Sequence, residues 1–176
     1  MRTIEIKLYK FEELSKEAQQ KTLEKLAYIN VEHHDWFDCT YDDIKNLGMT
    51  CNGFDLGRGS SIELRINNSL YEIAKNIVGA WGECEDRTIC EDFIREWDNL
   101  VYKHSDKINT ELVSEDNQED FDIEADVLES NFQHSLENIF FNTLKNEYEY
   151  LTSEEAIGET IIANEYEFTK EGGDIY

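Results

Sequence analysis

The sequence predicts a helix-dominant α+β fold with a small antiparallel sheet, and three observations support it. Apolar residues recur at helical spacing through most of the chain, and a few short stretches alternate with period two. Hydrophobic residues make up 40% and aromatics 12% of the 176 residues, enough for a packed core.

At the start, Ile4, Ile6 and Leu8 alternate with Glu5, Lys7 and Tyr9, the pattern of a half-buried strand. Ser15 then stands where an N-cap belongs, before a helix that uses Ala18, Leu23, Leu26, Ala27 and Ile29. Thr40 is expected to cap a short helix over 41–47, stopped by Gly48. Strands over 50–56 and 61–66 flank a glycine-bearing turn, and in the second Ile62, Leu64 and Ile66 alternate with Glu63 and Arg65. These two and the first strand are expected to share one small antiparallel sheet.

From 70 to about 104 the pattern turns helical. Tyr71, Ala74, Ile77 and Val78 form one face; after a break at 79–82, Ile89, Phe93, Trp97, Leu100 and Val101 form another. The polar stretch 105–118 reads as a linker or loop. A long helical segment follows, with Leu128, Phe132, Leu136, Ile139, Thr143 and Tyr150 on its apolar side. Ser153, with Glu154 and Glu155 behind it, starts another helix carrying Ile157, Ile161 and Ile162. Residues 166–169, then Gly172, Gly173 and Ile175-Tyr176, read as a terminal hairpin or strand. The domain reading is an α+β N-terminal part (1–104), an acidic linker (105–118) and a helical C-terminal part (119–176), joined in one compact unit.

Charge narrows the function. Forty acidic residues stand against sixteen basic ones, a formal net charge of −24. Residues 1–100 hold 20 acids and 12 bases; residues 101–176 hold 20 acids and only 4 bases. Direct binding to nucleic acid is disfavoured, because phosphates are held by Lys and Arg that displace counterions. The natural complement is a basic protein surface or a cation. No apolar run approaches the roughly 18 residues needed to span a membrane. The N-terminus lacks the apolar core of a secretory signal, and Cys39, Cys51, Cys84 and Cys90 have no CxxC spacing. They are expected to be free thiols, mostly buried, in a reducing cytoplasm.

Signatures of catalysis fail one by one. Gly53 to Ser60 holds three glycines and Arg58 but has neither Walker nor GxGxxG spacing, and reads as a turn. His33, His34, Asp35, Asp38 and Cys39 form the densest group of metal-ligand types, without the spaced pairs that let ligands converge. Its structural reading is a helix end, with His near the C-terminus of the first helix and Trp36 and Phe37 entering the core. An EF-hand beginning at Asp116 would need Gly at Phe121 and Glu at Val127. No nucleophile elbow exists. The expectation is therefore a protein that is not an enzyme and needs no cofactor; the alternative is a metal-assisted enzyme using His33, His34 and Asp35.

The most informative feature is an acidic stripe. Glu111, Glu115, Glu119, Asp122, Asp126 and Glu129 are spaced by four, four, three, four and three residues, so a helix presents them on one face. Like charges at these spacings destabilise a helix by about 0.2–0.5 kcal/mol per pair, on the order of 1–2.5 kcal/mol for five successive pairs. Folding gains nothing obvious in return. Carboxylates about 5–6 Å apart are spaced on the same order as backbone phosphates, so a basic groove that accepts nucleic acid would accept this face. Glu83, Glu85 and Asp86 are a second acidic cluster.

The opening IEIKLYKFEELSKEAQQKTLEKLAYIN, the DW that follows, YDDIKNLGMTCNGFDLGRGS, and the closing SEEAIGETIIANEYEFTKEGG together resemble small acidic proteins of phages and prophages of Gram-positive bacteria. The likeness covers about residues 1–100 and 150–172 and brings no catalytic signature. It implies a mobile-element origin and a role against host defence. In that role an anti-CRISPR or similar inhibitor would occupy the nucleic-acid site of a defence nuclease. An antitoxin-like partner of a basic toxin would show the same acidic face.

Overall fold

Helical periodicity accounts for most of what the chain does in space. The computed structural model describes residues 6–33, 35–108 and 115–173, with side chains described throughout these except at 106–108 and 115–118. In chain order the elements are β1 (Tyr9–Lys10), a 3-10 turn (Phe11–Glu13), α1 (Lys16–Lys25), α2 (Asp38–Asn46), β2 (Met49–Asp55) and β3 (Ser61–Ile66). There follow α3 (Leu70–Ala80), α4 (Glu85–Ile108), α5 (Glu115–Leu151), α6 (Glu154–Ala163) and β4 (Glu167–Phe168). The fold is α+β with helix dominant, as the sequence predicts. None of the helices among the described residues is long and apolar enough to cross a membrane.

The chain divides into two compact units that differ from the sequence boundaries at 104 and 118. One is drawn from residues up to Asp38 and from Leu144 onward; the other runs from Cys39 to Thr143. The stretch 105–118 is helical at both ends, since α4 continues to Ile108 and α5 opens at Glu115.

In the first unit α1 and α6 pack around Leu14, Ala18, Ile157, Ile161 and Phe168. Both predicted N-caps are present: Ser15 Oγ accepts from the Ala18 N–H at 3.3 Å and Ser153 Oγ from the Ala156 N–H at 3.2 Å. α1 is shorter than predicted and ends at Lys25, leaving Leu26 and Ile29 to pack from the turns beyond it. His33 thus lies eight residues past the helix, too far to meet its dipole. The chain's end is tied back to α1. Buried Thr22 donates to the Ala18 carbonyl at 2.9 Å and accepts from the Gly173 N–H at 3.0 Å. Gly172 has φ +71°, and a Cβ there would lie 2.5 Å from the Ala18 carbonyl oxygen, so only glycine fits.

The expected single sheet is corrected to two separate pairs. β1 pairs antiparallel with β4, Tyr9 opposite Phe168, while β2 pairs with β3 in a hairpin. The aromatic residues explain the change: Tyr9 and Phe168 belong to the α1/α6 core, so the first strand follows that core. Ile6 and Leu8 precede the strand, Ile6 is exposed, and Ile4 lies outside the described residues.

The second unit has the larger core, including Ile44, Met49, Leu64, Ile73, Ile77, Phe93, Phe132 and Leu136. α2 starts at Asp38, so Thr40 is inside its first turn rather than capping it; Gly48, at φ +97°, stops it as predicted. In the β2–β3 turn the Gly57 N–H donates to Asp55 at 2.7 Å and Ser60 to the Gly57 carbonyl at 2.9 Å, a local turn rather than a phosphate loop. Ser69 caps α3, which packs on α4. α4 and α5 run antiparallel: Phe93 stacks on Phe132 at 4.0 Å and, a few turns on, His104 meets Phe121 at 5.5 Å. On α5, Phe132, Leu136 and Ile139 are buried as predicted, but Thr143 and Tyr150 are exposed while Phe140 and Leu144 are buried. A step of 100° per residue carries the inward face from 136 to 140 and 144.

Candidate interaction surface on helix α5

Helix starts account for most acidic residues near a terminus. Glu17, Glu72, Glu85, Asp86, Glu154 and Glu155 lie in the first turns of α1, α3, α4 and α6. There a carboxylate is stabilised by the positive end of the helix dipole. The acids at 122, 126 and 129 sit in later turns of α5, where the dipole offers nothing.

Their geometry follows from the helix. At 100° per residue, Glu119, Asp122, Asp126 and Glu129 fall within about 80° of arc. Glu119, Asp122 and Asp126 are exposed. Glu129 is half-buried, because the stripe flanks the inward line of Ala125, Phe132 and Leu136 instead of opposing it. Among the described residues Glu119, Asp126 and Glu129 have no ion-pair partner. No Lys or Arg stands between Lys107 and Lys145 to supply one along the helix. Glu115 is in the first turn of α5; Glu111 lies outside the described residues.

Glu83, Glu85 and Asp86 are not brought to this face. With Phe93 opposite Phe132 and His104 opposite Phe121, Glu85 lies about 12 Å beyond Phe93, in the direction away from the stripe. Asp86 is half-buried near Cys90, whose thiol burial pushes up to about 12, with Asp86 as the next cause. Cys90 is therefore inert at neutral pH. The expectation of mostly buried thiols is corrected: Cys90 is buried and Cys51 half-buried, but Cys39 and Cys84 are exposed, since both lie on outward positions near helix starts.

The His/Asp/Cys group does not converge. His33, Asp35, Asp38 and Cys39 are each exposed, and His34 lies outside the described residues. Among the described residues no three His, Cys, Asp or Glu side chains are placed to hold a metal ion. Trp36 and Phe37 are half-buried in the first unit, Trp36 against Phe37 and Tyr148 with ring centroids 5.4 and 5.8 Å away. The candidate calcium loop at 116–127 is helix.

Two features of this face escape a reading of charge alone. Glu124 receives both contacts of Lys103 Nζ at 2.7 Å from α4, and the lysine holds its carboxyl below the usual range. Behind it, His104 is 1% exposed with neither ring nitrogen hydrogen-bonded, Nε2 lying 3.6 Å from Glu124. On the other side of the helix crest, Ile123 and Val127 are exposed. Their signal in the sequence is that both fall off the 125/128/132/136 line that defines the core.

No protein-family model, curated protein or solved structure matches the chain.

Proposed function

We propose that the protein is a binding protein, not an enzyme, whose α5 acidic face engages a basic nucleic-acid-binding surface on a partner. The observation that carries this is the row Glu119, Asp122, Asp126 and Glu129 on consecutive turns of one helix, past the reach of the helix dipole. A row of like charges that folding must tolerate is kept when something outside the fold uses it. Net charge of −24 steers the protein towards cationic surfaces and away from nucleic acid itself. The resemblance to small acidic phage and prophage proteins gives this reading its sharpest form. It is an inhibitor, of the anti-CRISPR kind, that fills the nucleic-acid groove of a bacterial defence nuclease in the cytoplasm.

The test is affinity capture from nuclease-treated bacterial lysate with the full chain and with its Glu119→Lys/Asp122→Lys/Asp126→Lys variant. The wild type is expected to retain basic nucleic-acid-binding proteins at about 50 mM salt, to lose them at about 500 mM as screening shortens, and to release them to added DNA. The variant should retain none of them while keeping the wild-type circular dichroism spectrum. Equal retention by the two proteins would defeat the proposal.

A further inference from the structure

The α5 ridge is not only acidic. Ile123 and Val127, one helical turn apart, are 56% and 57% exposed. They form one wall of an open groove of roughly 530 Å³ between α4 and α5. Its floor includes Leu100 and Leu128, and α4 supplies the far wall through Glu96 and Lys103. We infer that this groove is the docking site for an amphipathic helix of a partner protein, apolar on the face that enters and Lys- or Arg-bearing on its flanks. The inference rests on the proposed function and specifies the basic element that the acidic face receives.

Shape selects a helix. A trough between two antiparallel helices is straight, and apolar side chains at i and i+4 on its wall match the i, i+3 and i+4 spacing of a helix laid along it. Charge selects the flanks. Glu119 and Asp126 stand four residues before and three after Ile123, so their carboxylates border it on the solvent side. Glu96 stands on the opposite wall, and the lysine in the groove, Lys103, is already neutralised by Glu124 at 2.7 Å. The rim is left net negative.

The same charge rejects the other occupants. A second copy of the chain would bring a net −24 against −24, and an anionic lipid surface would meet the same repulsion. A basic amphipathic helix is the apolar ligand that both the floor and the rim accept.

The experiment uses the full chain and two fluorescein-labelled peptides of about 14 residues, long enough for four helical turns. Both contain only leucine and lysine in equal amounts. One order places the leucines on a single helical face; the other spreads them around the helix. Anisotropy at about 150 mM salt, where long-range charge effects are screened beyond roughly 8 Å, is expected to show the amphipathic peptide binding at least about 10-fold more tightly. The Ile123→Ser/Val127→Ser variant, both positions being exposed, should fold as the wild type by circular dichroism and lose about 10-fold in that affinity.

Equal affinity for the two peptides, or an unchanged affinity in the serine variant, overturns the groove. If Glu119→Lys/Asp122→Lys/Asp126→Lys still weakens both peptides in that case, the acidic-face reading survives without the groove. If charge reversal leaves both affinities unmoved, the acidic-face reading itself is overturned. A dimer in sedimentation that the serine variant dissociates would assign the groove to a second copy. Binding to phosphatidylserine–phosphatidylcholine vesicles that the same variant abolishes would assign it to lipid. Either result replaces the occupant proposed here.

Discussion

The two units use polar side chains in opposite ways. In the unit built from the chain's two ends, they stitch segments far apart in sequence. Thr22 holds Gly173, Asn30 donates to the Leu151 carbonyl at 2.9 Å, and Thr160 donates to Asn30 at 2.7 Å. Each buried donor and acceptor in that network is matched, and removing one leaves another unsatisfied. In the unit from Cys39 to Thr143 the core is apolar apart from the buried ring of His104, which has no hydrogen bond, and the polar groups that stand out on the surface are the carboxylates along α5. Among the described residues Glu119, Asp126 and Glu129 have no ion-pair partner, and Glu124 pairs with Lys103 of α4. The difference separates residues selected by folding from residues that folding tolerates.

The largest effect expected from this contrast lies under the ridge rather than on it. Leu136 is fully buried in α5, and Leu136→Ala should cost about 2–5 kcal/mol through lost burial and the cavity left behind. Urea denaturation measures it. A cost below about 1 kcal/mol would mean that this side of α5 is not the core that the packing describes.

Next is Gly172 in the stitched unit. Gly172→Ala puts a methyl against the Ala18 carbonyl and Thr22 Oγ at a left-handed backbone position. The strain alone is about 1–2 kcal/mol, so a loss of at least that size is expected in the same denaturation assay. Gly53, where a Cβ meets nothing within 4 Å, is the matched control, and Gly53→Ala should change stability far less. Equal effects at the two glycines would erase the claim that the C-terminal segment is clamped on α1.

On the ridge the sign reverses. Replacing Glu119, Asp126 and Glu129 by Gln, Asn and Gln removes three like-charge pairs that involve Asp122 or one another. The expected change is a stabilisation of about 0.6–1.5 kcal/mol at low salt, shrinking as salt is added. A destabilisation would show that these carboxylates serve the fold and would remove the reason for assigning them to a partner.

How much of this was legible in the sequence depends on how local the signal was. Ser15 and Ser153 as caps, Gly48 as a stop, and the β2–β3 hairpin are written in adjacent residues, and the structure has them. The pairing of β1 with β4 joins residues about 160 positions apart, and period-two alternation carries no information on which strand a strand will meet. The part of the acidic stripe from Glu119 to Glu129 was readable as a helical face because spacing alone defines it. The groove was not: it requires knowing that Phe93 stacks on Phe132. That contact sets the register of α4 on α5 and leaves Ile123 and Val127 uncovered. The buried His104 was equally hidden, since its neighbour Phe121 lies on the other helix.

The smallest expected effect concerns Glu124, the α5 carboxylate that Lys103 pairs with. Lys103 lowers the pKa of Glu124 from its ordinary 4.5, so in the folded chain the carboxylate form persists to lower pH than in the unfolded chain. Whatever stability the pair contributes is then present above about pH 4.5 and is lost as pH falls through the lower, folded value. Both side chains are largely exposed, and exposed pairs contribute little, so denaturation is the wrong probe. Carbon-detected NMR titration of the Glu124 carboxyl is the right one. The midpoint should lie below 4.5 in the wild type and rise in Lys103→Met. His104 Nε2 lies 3.6 Å from the same carboxylate and is a weaker cause of the shift, so the rise should fall short of complete. A midpoint unchanged by Lys103→Met would mean that the lysine does not neutralise Glu124 in solution. The groove would then present a free cation on its wall, and the contrast between its acidic rim and a basic partner would be weakened at that point.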